Sequence, residues 1–375
     1  MKILHVITTT DAGGAEAQLL RLAAGGGADH GVVCLAGPGR LAPAMNRAGA
    51  RVTCLGLKPG PGALARGLPR LAALMRAQRP DLVQTWLYHA DLLGLLAARL
   101  SGAAPLIWTL RCADMDLERY SRGVRLVLKA NTLLSKLPAA IAANSQAGLE
   151  WHRRLGYPAE RMRVIPNGFD LERFRPDPAA RARLRAELGL GEGDLLVGCA
   201  ARLDPMKDHA CLLAAARLAA AQRPEMHFVL LGQGVSPGQP ELAGWSEPPL
   251  AGRSHLLGYR EDVPAWLAAM DVHVSSSVSE GLCNAVGEAM AVGLPNLVTD
   301  VGDSRALVGP TGLTVPRSRP QELARALIEL AGMAPAERTA LGRQARRRIR
   351  ERYSLDGMRA AYLALYRELT APRSR

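Results

Sequence analysis

The sequence predicts an α/β protein with two Rossmann-like domains, each built on a doubly wound, largely parallel sheet. Short apolar runs alternate with amphipathic segments along almost all of the 375 residues, which is the pattern of parallel strands joined by crossover helices. The alternation pauses near the middle of the chain and then restarts. With 48% hydrophobic and 22% charged residues, the chain has enough apolar surface for two buried cores.

The first half of the chain supplies six predicted strands. They are KILHVI, HGVVCLA, RVTCLGL, DLVQTW, PLIWTL and AAIAAN. Between them, apolar residues recur at helical spacing in the segments AEAQLLRLAAG, ALARGLPRLAALMRAQ and DLLGLLAARLSG.

The second half repeats the pattern after a turn-rich segment, GFDLERFRPDP, and a polar helix, PAARARLRAELGL. Its predicted strands are LLVGCAA, HFVLLGQ, SHLLGY, VHVSSS, PNLVTD and GLTVP. We therefore expect a first domain at 1–170, a second at 171–354 and an amphipathic helix at 355–375. Ligands of such folds bind beyond the carboxyl ends of the strands, so a cleft between the domains is the expected site.

Composition narrows the class of protein. No run of 18 uncharged apolar residues occurs, which argues against a membrane-spanning helix. The start, MKILHVITTT, has the pattern of a strand rather than of a signal peptide. The six cysteines form no CxxC pair, which is typical of a reduced, cytoplasmic protein without a zinc ribbon.

The positive charge is unevenly distributed. The formal net charge is +13, and residues 1–170 hold 21 Lys and Arg against 11 Asp and Glu, whereas the remainder holds 26 against 23. This asymmetry has two interpretations. Either the first half meets an anionic partner, such as nucleic acid, an acidic membrane or a phosphorylated acceptor, or its arginines are simply solvated.

Two turns are candidates for binding phosphate. Gly13 and Gly14 follow the first strand where a helix begins near Ala15, and glycines there allow backbone amides to approach an anion. The turn is neither GxGxxG nor a P-loop, so a plain tight turn is the alternative. In the second half, Arg202 and Lys207 lie in one strand-to-helix connection, where two cations suit a diphosphate leaving group unless they are merely solvated.

The segment VHVSSSVSEGLCNAVGEAMAVGLPNLVTD is the richest in polar groups. We expect a helix over Cys283–Ala291, with an anion cradle made by the amides of Leu282 to Ala285. Glu280 and Glu288 flank this cradle, and carboxylates are acceptors for paired hydroxyls of a sugar or ribose. A helix-capping or buried role is the alternative for either glutamate.

Seven motifs in order resemble the family 4 retaining glycosyltransferases with the GT-B fold. They are GGAE near the start, ANS at 143–145, VIPNGFD at 164–170, ARLDPMKD, LLGQG at 230–234, the long LGYREDVPAWLAAMDVHVSSSVSEG at 257–281, and GLPNLVTDVGD. The family's E-x7-E motif corresponds to Glu280 and Glu288. The resemblance implies that the final helix crosses back onto the first domain.

The resemblance also implies roles for individual residues. Arg202 and Lys207 are expected to grip the donor diphosphate, with Glu280 touching the sugar; these three form the expected catalytic set. Glu288 is expected to hold the ribose hydroxyls. The whole expected donor-binding set is Gly13, Gly14, Gly232, Gly258, Tyr259, Gly281, Leu282, Cys283, Asn284, Ala285 and Glu288.

The acceptor side departs from the family pattern. Many members carry a histidine after the strand aligned with LIWTL, where this chain has Arg111. His89, after the preceding strand, is the nearest histidine, so both residues are acceptor-side candidates. Arg111 also suits an anionic acceptor such as a phosphate or a sugar acid.

Asp114 and Asp116 have DxD spacing, which can hold Mg²⁺ on a diphosphate. Because they precede the predicted nucleotide-binding domain and two cations already supply countercharge there, we expect loop or acceptor-side acids and neither a metal nor a cofactor.

These patterns together predict a metal-independent, retaining hexosyltransferase that uses a nucleotide-diphosphate sugar, with a UDP-sugar favoured, and a glycan or lipid-linked acceptor. An epimerase of the same fold is one alternative. A basic nucleic-acid-binding protein is another, but no nucleic-acid motif supports it, so no nucleic acid is expected.

The segment LERYSRGVRLVLKANTLLSKLP points to a possible anionic membrane surface as a partner. It places Arg119, Arg122, Arg125, Lys129 and Lys136 among leucines and valines. Basic amphipathic segments bind anionic bilayers, so peripheral attachment on the inner face of the membrane is one interpretation. The other is an ordinary helix that packs its leucines on the sheet and solvates its arginines.

Overall fold

The chain is divided into two compact units. A computed structural model describes residues 1–58, 60, 62–102, 104–114 and 121–371. The first unit comprises Met1–Gly168 together with Leu355–Arg375, and the second comprises Phe169–Ser354. The division falls two residues before the expected boundary at 170, and the C-terminal segment is assigned to the first unit.

The first unit is built on a seven-stranded, fully parallel sheet. Its strands are β1 (Lys2–Ile7), β2 (Asp29–Cys34), β3 (Arg51–Cys54), β4 (Leu82–Trp86), β5 (Leu106–Leu110), β6 (Ala140–Ala143) and β7 (Met162–Val164). Their order is β3-β2-β1-β4-β5-β6-β7. All six predicted strands are present. The seventh was not predicted, because β7 has only three residues and no apolar run of its own.

Helices cover both faces of this sheet. They are α1 (Gly14–Ala23), α2 (Ala42–Arg47), α3 (Gly62–Gln78), α4 (Tyr88–Ser101), α5 (Arg122–Leu134) and α6 (Gln146–Arg154). Helices α3 to α6 bury apolar side chains in one core, and α1 and α2 contribute to the core on the opposite face. Parallel strands buried on both faces are accordingly almost continuous apolar runs.

The second unit repeats the design with six parallel strands. These are β8 (Leu195–Ala200), β9 (Met226–Leu231), β10 (Ser254–Leu256), β11 (Val272–Ser275), β12 (Asn296–Thr299) and β13 (Gly312–Val315). The order is β10-β9-β8-β11-β12-β13. All six strands predicted for this half are confirmed.

The helices of the second unit follow the strands. They are α7 (Pro178–Glu187), α8 (His209–Gln222), α9 (Val263–Ala269), α10 (Asn284–Val292), α11 (Ser304–Val308), α12 (Pro320–Gly332) and α13 (Pro335–Arg352). Helix α7 illustrates the local signals that set their ends. Asp177 accepts a hydrogen bond from the Ala180 amide at 2.9 Å as the N-cap, and Pro178 occupies the first helical position.

The last helix, α14 (Leu355–Thr370), packs in the first unit. Met358 and Tyr362 lie in the same core as α1, and the Tyr366 hydroxyl donates a hydrogen bond to Gln84 Oε1 on β4. The helix therefore belongs to the first unit, although the rest of that unit ends at Gly168, nearly two hundred positions earlier in the sequence.

The strand order in each unit places one topological switch point at the centre of each sheet. In the first sheet, β1 and β4 are neighbours, and the connections that follow them leave toward opposite faces. In the second sheet the same holds for β8 and β11. Ligands of doubly wound sheets bind beyond the carboxyl ends of the strands at such points. In the described part of the chain no helix has the length and apolar character needed to cross a bilayer.

Candidate active site

The connection from β8 to α8 is fixed by two consecutive caps. Asp204 accepts a hydrogen bond from the Met206 amide at 2.9 Å and begins a short 3-10 turn, Pro205–Lys207. Asp208, at φ +47°, then accepts one from the Cys211 amide at 3.1 Å and caps α8. Because each aspartate satisfies amides at the start of a helical turn, the position of Lys207 is determined by its backbone.

The connection from β11 to α10 is hydrogen-bonded to this turn. The Ser276 hydroxyl donates to the Lys207 carbonyl at 2.8 Å, and the Val278 amide donates to the Met206 carbonyl at 2.9 Å. The loops that leave the two central strands of the second unit are therefore held together at its switch point.

Lys207 and Glu280 form an ion pair between these loops. Lys207 Nζ donates to Glu280 Oε1, and the side chains are 21% and 13% exposed. The Ser277 hydroxyl donates to the same oxygen at 2.8 Å. Burial alone would lower the pKa of Lys207, but the Glu280 carboxylate outweighs burial, and the pKa lies above its ordinary value. Lys207 therefore remains a cation at physiological pH.

Helix α10 begins directly beside this pair. It starts at Asn284 rather than at the expected Cys283, because Cys283 is extended and acts as the N-cap, with no side-chain capping bond. Burial, followed by the nearby Glu280 charge, raises the pKa of the Cys283 thiol to about 12. A neutral thiol leaves the positive end of the helix dipole uncompensated by the cap, so this helix end favours an anion.

Arg202 lies in the same β8–α8 connection but pairs with a different carboxylate. Its guanidinium contacts Asp204 Oδ2 at 2.9 Å, and its side chain is 56% exposed. Burial would raise the pKa of Asp204, but the Met206 amide and the Arg202 charge lower it below its usual range. The structure thus assigns Arg202 and Lys207 to separate carboxylates, and their convergence on one anion stays a prediction.

Two predicted donor-side glycines meet at the ends of β9 and β10. The Gly232 amide donates to the Gly258 carbonyl at 2.8 Å. Gly232 has φ +155°, and a Cβ there would lie 2.1 Å from the Ala201 carbonyl oxygen. Only glycine fits at position 232, because any side chain there would collide with the backbone of Ala201 just after β8. Tyr259 follows Gly258 and is 39% exposed.

Among the remaining predicted donor-side residues, Gly281, Leu282 and Cys283 are buried at the end of the β11–α10 connection. Asn284, Ala285 and Glu288 lie in the first five residues of α10 and are half-buried. The E-x7-E spacing therefore places one glutamate before the helix and the other within it.

A neighbouring loop packs against the backbone of Glu280; it belongs to the GLPNLVTDVGD motif, but no role was predicted for its Gly302. Gly302 has φ +54°, and a Cβ on it would lie 2.2 Å from the Glu280 carbonyl oxygen. The Asp303 amide donates to the Gly281 carbonyl at 2.9 Å. The signal available in the sequence was Gly302 itself, a glycine three residues after the end of β12.

The serine run after β11 was also overlooked as a group of functional residues. Ser276 and Ser277 bond to Lys207 and Glu280 as described, and Thr299 Oγ1 on β12 donates to the Ser277 carbonyl at 2.6 Å. Three consecutive hydroxyls at a strand end were the signal, but their partners are distant in sequence.

The first unit presents a different turn at its switch point. Gly13 is the N-cap of α1, which begins at Gly14, and its amide donates to the Asp11 carbonyl at 2.9 Å. The loop is backed by Gly39, whose Cβ would lie 2.4 Å from the Asp11 amide nitrogen. No lysine or arginine occurs between Thr8 and Gly14.

The two acceptor-side candidates follow adjacent strands of the first unit. His89 is exposed in the first turn of α4, after β4. Arg111 follows β5; its Nη2 donates to Asn167 Oδ1 at 2.7 Å, and its guanidinium lies 5.3 Å from the centre of the Trp86 ring. Burial lowers the pKa of Arg111, and its Nε has no hydrogen-bond partner in the described structure.

The Asp114–Asp116 pair cannot be placed as a unit. Asp116 lies outside the described residues, and Asp114 is the last residue before that gap. The described part of the chain contains no group of three or more His, Cys, Asp or Glu side chains that could hold a metal ion. The roles of these two acids remain predictions.

Two family models match the chain in sequence. Residues 12–173 match the model described as Glycosyltransferase Family 4, and residues 194–332 match Glycosyl transferases group 1. The first match contains strands β2 to β7, and the second contains strands β8 to β13.

Individual relatives are glycosyltransferases by name. The chain is 28% identical over 247 residues to the UDP-Gal:alpha-D-GlcNAc-diphosphoundecaprenol alpha-1,3-galactosyltransferase of Escherichia coli, covering 65% of this chain and 64% of that protein. It is 29% identical over 364 residues to the D-inositol 3-phosphate glycosyltransferase of Streptomyces scabiei, covering 88% and 80%. The match therefore spans less than two thirds of the length of the Escherichia coli relative.

The fold matches that of solved structures. The crystal structure of Anabaena Alr3699/HepE in complex with UDP and glucose aligns with a TM-score of 0.86 and 24% identity, covering 98% of this chain and all of that one. Sucrose-phosphate synthase from Thermosynechococcus elongatus aligns with a TM-score of 0.81 and 22% identity, covering 99% and 100%.

Two parallel, doubly wound sheets and these structural neighbours define a two-domain α/β protein of the GT-B fold. The two sequence models then specify the family. The chain belongs to the group 1, family 4 glycosyltransferases.

Proposed function

We propose that this protein transfers a hexose-type unit from a nucleotide-diphosphate sugar to a glycan or lipid-linked acceptor, with retention of the anomeric configuration and without a metal. The observation that carries the proposal is the Lys207–Glu280 pair, held by Ser277 beside the N-terminus of α10. This arrangement places three groups side by side: a cation, the positive end of a helix, and a carboxylate that can accept hydrogen bonds from sugar hydroxyls.

The chemistry assigned to this site is electrostatic. Negative charge grows on the diphosphate as its bond to the anomeric carbon breaks, and a fixed cation and helix amides stabilise that charge most in the transition state. Lys207 supplies the cation, with Arg202 as the second. Glu280 accepts hydrogen bonds from sugar hydroxyls, and Glu288 does the same for the ribose.

Retention is inferred from the family to which the chain belongs, and what Glu280 binds bears on how it would be achieved. A carboxylate that accepts hydrogen bonds from an ammonium and a hydroxyl is a weak nucleophile, because its electron density is already engaged. Glu280 is thus poorly suited to forming a glycosyl-enzyme bond. We infer front-face attack, in which the acceptor hydroxyl bonds to the anomeric carbon while the departing phosphate oxygen takes its proton.

Donor and acceptor classes are inferred from relatives. The Escherichia coli relative is named for a UDP-sugar donor and a diphosphoundecaprenol-linked acceptor, which supports a UDP-sugar and a lipid-linked glycan as the first candidates here. The basic first half and Arg111 fit an acceptor that carries phosphate. The proposed location is the cytoplasm, where nucleotide sugars are available as donors.

The test is product analysis with UDP-, GDP- and ADP-sugars, each with and without a lipid-diphosphate-linked sugar acceptor. We expect an acceptor-dependent glycoside of unchanged anomeric configuration by NMR, together with free nucleotide diphosphate. Conversion of the sugar while the nucleotide stays attached, without acceptor, would identify an epimerase instead. An inverted product would overturn the front-face mechanism.

A metal arm accompanies this experiment. We expect excess chelator to leave the rate nearly unchanged, because Lys207 and the helix end supply the countercharge. Loss of activity that Mg²⁺ or Mn²⁺ restores would overturn metal independence and point to Asp114 and Asp116 as ligands.

A further inference from the structure

Helix α5 in the first unit leaves leucines in solvent. Leu126 is 69% exposed and Leu133 is 76% exposed, whereas Leu128 on the same helix is 3% exposed and lies in the core. The helix packs Leu128 on the core and exposes its arginines, as the ordinary-helix interpretation expects, but that interpretation does not account for Leu126 and Leu133. Two of its leucines have no place in the core.

Cations share the face that carries these leucines. Arg122, Arg125 and Lys129 are exposed, and their spacing from Leu126 and Leu133 corresponds to one side of a helix. In the described part of the chain, none of these three cations forms an ion pair with a carboxylate. We call these five residues the α5 face.

The surroundings of the α5 face are basic and apolar as well. No Asp or Glu occurs between 121 and 137. Beyond the end of the helix, Lys136 is exposed and Leu137 is 43% exposed. The segment thus lacks the carboxylates that normally intersperse a solvated helical surface.

We propose that the α5 face docks on an anionic lipid bilayer. A helix with apolar side chains beside lysines and arginines lies in the headgroup region, where leucines leave water and cations meet anionic lipid. This inference rests on the proposed function, because an enzyme that uses a lipid-linked acceptor meets that acceptor at a bilayer. Helix α5 also follows the β5 end that carries Arg111, an acceptor-side candidate.

Charge favours a bilayer over a second copy of the chain as the occupant. A twofold contact places the same patch on both partners, so Arg122, Arg125 and Lys129 of two copies would meet without carboxylates between them. Like charges facing each other oppose such a contact. An anionic lipid surface, in contrast, supplies negative charge with which the same cations can pair.

The experiment is co-sedimentation of the full chain with phosphatidylcholine vesicles, with and without phosphatidylglycerol, at low and high salt. We expect binding to the anionic vesicles only, reversed by salt. Each cation near such a surface strengthens binding about fivefold, so R125Q/K129Q should weaken it about 25-fold. L126Q/L133Q should weaken it at least tenfold, because the apolar area buried in the interface is lost.

Controls separate the surface from folding and from catalysis. Leu218→Gln, at a leucine on α8 of the second unit that is 43% exposed, should leave vesicle binding unchanged. All variants change exposed side chains, so their melting temperatures should match the wild type. Glycosyl transfer by the wild-type chain to a water-soluble acceptor is measured in parallel, so a failure of the proposed function is seen independently of vesicle binding.

Three outcomes would overturn the proposal. One is equal recovery in the supernatant with neutral and anionic vesicles at low salt. Another is wild-type vesicle binding by L126Q/L133Q, which would place the contact elsewhere. The third is a dimer by light scattering that L126Q/L133Q converts to a monomer, which would make a second copy the occupant.

Discussion

The two units have the same central strand order but place different chemistry at the equivalent turn. After β8, the second unit carries Arg202 and Lys207, positioned by two capping aspartates. After β1, the first unit carries Asp11 and Gly13 with no lysine or arginine before α1. Strand order therefore decides where the ligand-binding loops lie, whereas the loop sequence decides which charge they present.

The segments that follow the second central strand of each sheet also carry their carboxylates in different environments. In the second unit, Glu280 is paired with Lys207 at the end of the sheet. In the first unit, Asp91 of α4 is fully buried and accepts a hydrogen bond from Thr85 Oγ1 at 2.5 Å, and burial raises the pKa of its carboxyl well above the ordinary range. One carboxylate is paired with a cation at the end of the sheet, while the other lies in the core of its unit.

The sharpest test of this comparison removes the paired charges of the second unit. Lys207→Met and Glu280→Gln should each lower kcat/KM by about a hundredfold or more, the scale of losing one preorganised polar contact to the transition state. Both variants should remain folded, since the residues lie in loop connections. Steady-state kinetics with a melting curve for each variant are the measurements.

The matched control is Arg223→Gln, which breaks an ion pair with Glu225 before β9, at the opposite edge of the sheet. It should retain near-wild-type turnover. Near-normal turnover in a folded Glu280→Gln variant would instead show that the site assignment is wrong.

A second test uses one buried histidine from each unit. Burial lowers the pKa of His152, in the first unit, and of His273, in the second, to about 4. Both folded-state values lie below the ordinary value, so each histidine stabilises the fold above about pH 6.5, and this contribution is lost as the pH falls toward 4. Between pH 7 and 5 the free energy of unfolding should fall by roughly 2 kcal/mol for each histidine.

Urea unfolding of the wild type, His152→Gln and His273→Gln at both pH values measures this dependence. Each substitution should reduce the pH dependence, because it removes one titrating group. The environments differ: both His152 nitrogens are hydrogen-bonded, to Tyr88 and to the Gly148 carbonyl, whereas among the described residues His273 has Asn296 as its one partner. An unchanged slope in either variant would contradict the assignment for that unit.

How far the sequence predicted these differences can be judged from particular residues. Apolar runs correctly located every strand except β7, because period and length are local properties of the chain. The pairing of Lys207 with Glu280 was not predictable, since these residues lie 73 positions apart and meet only once β8 and β11 are neighbours. The exposure of Leu126 and Leu133 was equally hidden, because the helical pattern does not show which leucines the core accommodates.

Gly302 offers a smaller and more local test of the second-unit site. A Cβ on Gly302 would collide with the Glu280 carbonyl, so Gly302→Ala must displace the loop that carries Glu280. We expect kcat/KM to fall about tenfold, the scale of misplacing one charged contact. Enzyme kinetics and melting temperature are both needed, since positive φ alone destabilises alanine by about 1 kcal/mol.

Gly293 provides the matched substitution. It has φ +95° at the end of α10, but its Cβ would make only ordinary contacts, at 3.7 Å and beyond. Gly293→Ala should therefore share the loss of stability and keep the activity. Equal losses of activity in the two variants would mean that backbone strain, rather than contact with Glu280, is responsible.

The smallest expected effect concerns Asp11, the acidic side chain in the turn of the first unit. Its carboxylate is exposed and accepts hydrogen bonds from Thr9 Oγ1 in its own loop at 3.1 Å and from the Arg40 amide in the loop after β2 at 3.3 Å. Because this charge has the wrong sign for a phosphate and is satisfied locally, Asp11→Asn should change UDP affinity by about twofold or less. Calorimetric titration of UDP measures it, with Lys207→Met as the sensitive reference. A tenfold change in either direction would instead place the Asp11 carboxylate against the diphosphate and give this side chain a direct part in donor binding.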